Sequence, residues 1–435
     1  MLMNSGLGLL MKSLSEVCLV GLVMVFLVVL SSSDLSLFWV SEIFEVDMLS
    51  KCLILLSVWV SLMCMFGTNK ISFGFKISFF FFMMLMLLFF LFLSFSVNSY
   101  LMFYVSFESC LIPILFMILG WGFQPERSMA GVYMLFYTLF GSFPLFYSIV
   151  SFGCSFGGGY MMSSMSQGLY LGWGFSLMFI SAFMIKFPMY SVHLWLLKAH
   201  VEAPVAGSMI LAGVLLKLGG YGLIRVFPLI YENCNMLSEA IISIGLWGSF
   251  MVSLGCLRQM DMKLLIASSS VVHMGTCISG LFILSEIGYK GGVVMMIAHG
   301  VCSSGLFYMA NMVYERSGSR SMHINKGLLN LMPVMSLCWF LLIGLNMASP
   351  PSVNLMSEIM LIVGLVSWSS VIVVVLVLVC FFSASYGFFF FSMSQHGAYL
   401  LSKAGFSGGL VMEYFIFFLH WAPLNLLIMS FFFII

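Results

Sequence analysis

KFPMYSVHLWLLKAHVEAPVAGSMILAGVLLKLGGYGLIR, residues 186–225, lies between two long apolar runs, yet it sets Lys186 and Lys217 in sequence that reads as membrane. It also holds His193, His200, Glu202, Pro188 and Pro204. An ionisable group inside a bilayer costs a few kcal/mol on insertion scales, and such groups mark ion or substrate paths. Pro188 cannot donate to a helix ladder, and its ring would clash with the carbonyl of Met184. A span broken beside a lysine leaves backbone polar groups that must face protein or water. The stretch therefore predicts a proton-conducting membrane subunit with this segment at its centre.

The rest of the composition agrees. The chain has 435 residues, of which 62% are hydrophobic and only 7% charged. So few charges cannot cover a water-soluble protein of this size, and the class is an all-α polytopic membrane protein. A net charge of +1 with no basic run excludes nucleic acid as a partner. Eleven cysteines are scattered singly, with no CxxC pair. Most, such as Cys64, Cys256 and Cys380, lie in apolar runs and read as small buried residues rather than as disulfides or iron–sulfur ligands. The first residues match neither a cleavable signal nor an Arg- and Ser-rich transit peptide, so insertion during synthesis is expected.

Runs of about 17–25 apolar residues mark the spans. They fall at 17–33, 52–67, 77–97, 100–120, 128–152, 170–189, 203–227, 236–256, 262–284, 291–314, 328–348, 353–367, 370–393 and 411–434. The run 328–367 also reads as one span broken at Ala348-Ser349-Pro350-Pro351, giving 13 or 14 spans. No soluble domain fits between them. The stretch 34–51, with Asp34, Glu42, Glu45 and Asp47, reads as an exposed acidic loop. The Gly/Ser-rich stretch 153–169 lacks the preceding strand and Lys-Ser/Thr ending of a nucleotide loop. Arg258 and Lys263 fall on one side of the membrane with Arg316, Arg320 and Lys326, which marks that side as the insertion side.

Glu108, Lys186, Lys217 and Glu358 lie inside predicted spans. A static ion pair that orients helices is the plainer reading. Snorkelling to the interface suits Lys186 and Glu358, which sit near span ends, but not Glu108 or Lys217, each with roughly ten apolar neighbours on either side. At an effective dielectric near 20, opposite charges about 4 Å apart interact by about 4 kcal/mol, equivalent to about 3 pKa units. Moving Glu108 toward or away from Lys186 would thus switch that lysine between holding and releasing a proton, and Lys217 would pass it on through water. His273 and His299 lie in adjacent spans and suit a relay, although a satisfied core histidine is the bland alternative. His193 and His200 are seven apart with Glu202 near, but a third clear metal ligand and an HExxH pattern are lacking. His323, His396 and His420 read as interfacial. Ala206-Gly207-Ser208, Gly213, Gly219-Gly220 and Gly222 either let helices approach closely or leave room for water.

At this point the stretch 186–225 resembles the antiporter-like family of the respiratory NADH:ubiquinone oxidoreductase (complex I), in its mitochondrial chain 4 branch. The segments 107–138, 256–275, 295–320 and 346–359 carry the same resemblance, in order, across residues 47–393, and GWGFQPER marks the branch. The resemblance implies about 14 transmembrane helices in two inverted five-helix repeats with two broken helices. It implies a membrane-arm subunit of the mitochondrial inner membrane that moves protons, driven by quinone chemistry elsewhere. It also implies no cofactor in this chain: NADH, FMN, iron–sulfur clusters and ubiquinone bind other subunits. Neighbouring antiporter-like subunits and lipids such as cardiolipin are the implied partners. The family's Glu–Lys pair falls on Glu108 and Lys186, its central lysine on Lys217, its relay histidines on His273 and His299, and its terminal acid on Glu358.

Two departures accompany the match. Leu197 stands where the family has proline after Trp-Leu, and the part before Asp47 is short, so the first family helix is expected to be truncated or missing. The expected division is residues 1–99 as N-terminal helices, 100–393 as the core with repeats about 100–227 and 236–393, and 394–435 as the last loop and helix. Besides the leading reading stand two alternatives: a stand-alone cation/proton antiporter subunit and a purely architectural spacer with frozen ion pairs.

Overall fold

The computed structural model describes residues 38–39, 44–68, 75–122, 124–156, 161, 172–398 and 408–434. The expected span 17–33, the first family helix and most of the Gly/Ser-rich stretch lie outside the described residues. Among the described residues, 10 helices are long and apolar enough to cross a membrane, and three shorter apolar helices accompany them. The only strands described are Phe38–Trp39 and Glu45–Val46, a short antiparallel ladder.

The helices run in order as α1 Met48–Gly67, α2 Phe75–Ser96, α3 Tyr100–Ser109, α4 Leu111–Trp121, α5 Arg127–Phe156, α6 Trp173–Lys186, α7 Leu194–Glu202 and α8 Val205–Ile210. A π turn, Leu211–Leu215, joins α8 to α9 Leu216–Cys256. Then follow α10 Met262–Phe282, α11 Glu286–Ser317, α12 Leu328–Leu331, α13 Pro333–Asn346, α14 Val353–Trp368, α15 Val373–Gln395 and α16 Val411–Ile434. The α3–α4 joint at Cys110 has a local cause, because the Pro113 ring would meet the carbonyl of Ser109. Helix α11 starts on Ser285, whose hydroxyl accepts from the Gly288 N–H, and ends on Gly318 in the left-handed region (φ 68°).

Helix α9 cannot be straight. Gly222 lies against the Phe183 ring and Gly248 against the Tyr190 ring. A straight helix would separate those glycines by about 39 Å, whereas seven residues of chain reach about 25 Å at most. Its two apolar halves, ending at Ile230 and starting at Leu237, therefore form two antiparallel spans.

Both breaks predicted from proline are present. Helix α6 stops at Lys186 and Phe187 is extended, as a residue before proline prefers. The carbonyls freed there are used: Ile185 accepts from the Trp195 indole and Met184 from the Met189 N–H. The second break separates α13 from α14, each too short to cross about 30 Å of hydrocarbon alone. There Leu345 accepts from Ala348 and from the Asn354 side chain. The run 328–367 is thus the broken span rather than two full ones.

The chain crosses back and forth, so the turns gather at two ends. The Met262 N–H donates to Arg320, and Asp261 bridges Ser321. These contacts put the turns 257–261 and 318–327 at one end, where Gly122 also packs on the Glu202 backbone. That end carries Arg127, Lys198, Arg258, Arg316, Arg320 and Lys326, which marks it as the inside. Lys263, expected in a loop, is instead buried in the first turn of α10. At the opposite end the described acids of the stretch 34–51 are not the exposed loop charges the sequence suggested, while Asp34 and Glu42 lie outside the described residues. Glu45 is buried and Asp47 pairs with Arg225 at 2.5 Å. Burial, with Asp47 beside it, raises the Glu45 carboxyl above its ordinary pKa, although Arg225 pulls the other way.

Two further expectations are corrected. His420 is fully buried rather than interfacial. It packs beside Gly305, and its Nδ1 donates to the Ile416 carbonyl at 2.8 Å. His323 and His396 are exposed as expected. Cys380 is exposed rather than buried, on the outer face of α15. Of the two readings of the small residues beside Lys217, close packing is the one seen at Gly219 and Gly222: a Cβ on Gly222 would lie 2.1 Å from the Phe183 ring, and one on Gly219 2.7 Å from the Phe187 nitrogen.

Candidate functional site

The fold brings Lys217, His299, His273 and Glu358 into one row. Lys217 sits roughly midway along the span Val205–Ile230, and His273 midway along α10. The π turn explains how a fully buried lysine is held. Widening the helix shifts the Leu216 N–H onto the Leu211 carbonyl and leaves the Ala212 carbonyl to the lysine. The Lys217 Nζ donates to Ala212 at 2.5 Å and lies 3.0 Å from the His299 Nδ1. The His299 and His273 rings lie 5.6 Å apart between centroids. The His273 Nδ1 is 3.5 Å from the Glu358 carboxylate, and its Nε2 lies 3.4 Å from the Tyr386 hydroxyl. A cavity of about 30 Å³ borders His273 and Glu358, with Thr276 and Ser383 in its wall. That is room for a water molecule with polar partners.

Glu108 and Lys186 form a second couple. The ammonium lies 3.9 Å from the carboxylate, donates to the Phe107 carbonyl at 2.6 Å and sits over the Phe107 ring. The nearer Glu108 oxygen is buried without a hydrogen-bond partner. Lys186 is itself buried, which argues against snorkelling, whereas Glu358 is partly exposed. Phe183, Phe187 and Gly219 pack between the two lysine-bearing helices α6 and α9. The structure therefore gathers four of the six expected residues closely and sets the Glu108–Lys186 pair beside them across an aromatic layer.

The conceivable metal group does not assemble. His200 is stacked flat on Phe307 at 4.8 Å, while His193 is turned to the Tyr190 carbonyl. Among the described residues, no cluster of three His, Cys, Asp or Glu side chains suits a metal ion. Sequence reading missed Tyr386 beside His273, the Arg225–Asp47 pair, and the pairing of Glu202 with the Arg320 guanidinium at 3.5 Å. A lone tyrosine in the Phe- and Val-rich run of α15 was the available signal for the first.

This arrangement of two broken helices around buried lysines is that of an antiporter-like membrane subunit. The chain matches the family described as NADH:quinone oxidoreductase/Mrp antiporter, TM, over residues 97–383, and it belongs to that family. Among curated relatives, NADH-ubiquinone oxidoreductase chain 4 of Ceratitis capitata is 49% identical over 88% of this chain and 86% of its own length. The chain 4 of Locusta migratoria is 47% identical over 91% and 89%. The fold is shared with a chain of the respiratory complex I from Thermus thermophilus with bound NADH, at TM-score 0.86 and 22% identity, covering 95% of this chain and 91% of that one. A chain of the Mrp complex from Dietzia sp. DQ12-45-1b aligns at TM-score 0.76 and 17% identity, over 91% and 76%.

Proposed function

We propose that this chain is a proton-translocating membrane-arm subunit of NADH:ubiquinone oxidoreductase in the mitochondrial inner membrane. It serves a redox complex without performing redox chemistry itself, and NADH, FMN, iron–sulfur clusters and ubiquinone belong to other subunits. Its partners are the other membrane-arm subunits, neighbouring antiporter-like ones among them, with lipids such as cardiolipin at the outer face. The observation that carries the reading is the contact series Lys217–His299–His273–Glu358 at mid-membrane depth. Close identity to chain 4 proteins over about nine-tenths of the chain favours this reading over a stand-alone antiporter.

In this scheme Glu108 sets how firmly Lys186 holds its proton. The 3.9 Å spacing leaves the acid free to swing toward or away from the lysine. Lys217 exchanges a proton with His299, which passes it to His273 and so to Glu358. Each transfer leaves a charge that the next group neutralises. Helix order supports repeat units of five spans once the first starts at 75 instead of the expected 100: 75–230 and 237–395, each with its fourth member broken. Five is odd, so the second unit starts from the opposite face, which makes the pair inverted.

Purification in mild detergent tests the assignment. Co-elution with NADH-oxidising activity is expected. Cation/proton exchange by the isolated chain, without that activity, would favour the antiporter reading instead.

A further inference from the structure

A surface cavity of about 310 Å³ lies at the cationic end, bordered by Gln124, Glu126, Lys198, Glu202, Asp261 and Arg320. Glu202 is the group through which it touches the interior. Its residue is 6% exposed, one oxygen faces Arg320 at 3.5 Å, and the other is buried with no hydrogen-bond partner. Just behind it lies Lys263, buried and donating to the Ala203 carbonyl at 3.2 Å. Deeper still is His200, fully buried, with neither ring nitrogen hydrogen-bonded. The charged groups that act on the His200 ring are Lys263 on the cavity side and Lys217 on the central side, and His200 in turn acts on His299.

Packing does not explain this histidine. A phenyl ring would stack on Phe307 equally well, without leaving buried polar atoms unpaired at about 1–3 kcal/mol each. We propose that the cavity is the inner-side proton entrance to Lys217, with Glu202 as acceptor at its base and Lys263 and His200 as the inward relay. A proton from cavity water binds the unpartnered Glu202 oxygen and moves to Lys263. It passes next to a His200 nitrogen and then to Lys217 or His299. Every group returns to its starting charge, one proton is moved, and no electron is transferred. The inference rests on the proton-translocating reading above and names the entrance for it.

The test uses membranes holding the assembled complex and measures NADH-driven proton pumping per electron pair against inner-side pH. Glu202→Gln and His200→Phe are compared with Lys217→Ala. Proton supply from bulk falls about tenfold per pH unit by definition, so losing the entrance should deepen the defect as pH rises. A merely structural fault would lower pumping equally at every pH. Glu202→Asp should restore most of the rate. Wild-type pumping by both entrance variants at every pH, with Lys217→Ala inactive, overturns the entrance and leaves the wider reading intact. Full pumping by Lys217→Ala overturns the wider reading itself. If the entrance variants do not assemble, Gln124→Cys carrying a bulky water-soluble maleimide decides. Loss of pumping relative to equally treated wild type supports the entrance, and unchanged pumping overturns it.

Discussion

Two ion pairs at opposite ends of the bundle, Asp47–Arg225 and Arg316–Glu413, differ from the charges in its middle. Each closes to 2.5 Å. Glu413 also takes the Leu410 N–H, and Arg316 also donates to the Met312 carbonyl. At mid-depth the acids and bases stand further apart: 3.9 Å for Glu108–Lys186 and 3.5 Å for His273–Glu358. These two close pairs act as latches, tying α16 to α11 and the strand segment to α9. The central groups sit at longer spacings, which leave them room to rearrange as proton transfer requires. Substitution should therefore separate the two regions. Central changes should cost transport, and end changes should cost assembly.

The largest effect is expected for Lys217→Ala. Coupled turnover should fall by about 100-fold, on the scale typical of a lost proton-transfer group, while the complex still assembles. Proton uptake by vesicles, set against the amount of complex on a native gel, measures this. Glu108→Gln should follow with roughly a tenfold loss, since Lys186 keeps its carbonyl contact but loses its switch, and Glu108→Asp should be intermediate. Glu413→Gln inverts the pattern. Removing one partner of a buried pair costs about 3–5 kcal/mol, so assembled complex should drop while pumping per complex holds. The smallest effect is expected for Gly222→Ala. The new methyl would displace the Phe183 ring at about 1–3 kcal/mol, read as a lower melting temperature. Loss of pumping in Glu413→Gln at full assembly would erase the contrast between ends and middle.

Much of the fold was legible because lipid leaves few options. Every backbone group must be satisfied within the span, so apolar runs of the right length become helices. Pro188 and the Pro350-Pro351 pair announced the breaks for steric reasons that need no tertiary context. The six central residues stood out because a charge amid apolar neighbours is costly. What could not be read were meetings between remote residues. Nothing local to Asp47 indicates Arg225, and nothing local to His420 indicates that Gly305 leaves it a buried seat. Lys263 looked like a loop charge because it lies at a span end, and Glu202 drew notice only for its place near two histidines. Only the folded chain shows that α7 covers one and Arg320 engages the other. The π turn that frees the Ala212 carbonyl for Lys217 leaves no pattern in the sequence either.

The central claim is that Lys217 and His299 belong to one conducting line. Groups acting in series lose function as a unit, so their substitutions are not additive. The direct measurement is vesicle proton pumping by Lys217→Ala, His299→Phe and the double variant, at equal assembly. The double variant should pump no worse than the poorer single one. Losses that multiply would mean two independent routes and would contradict the single line.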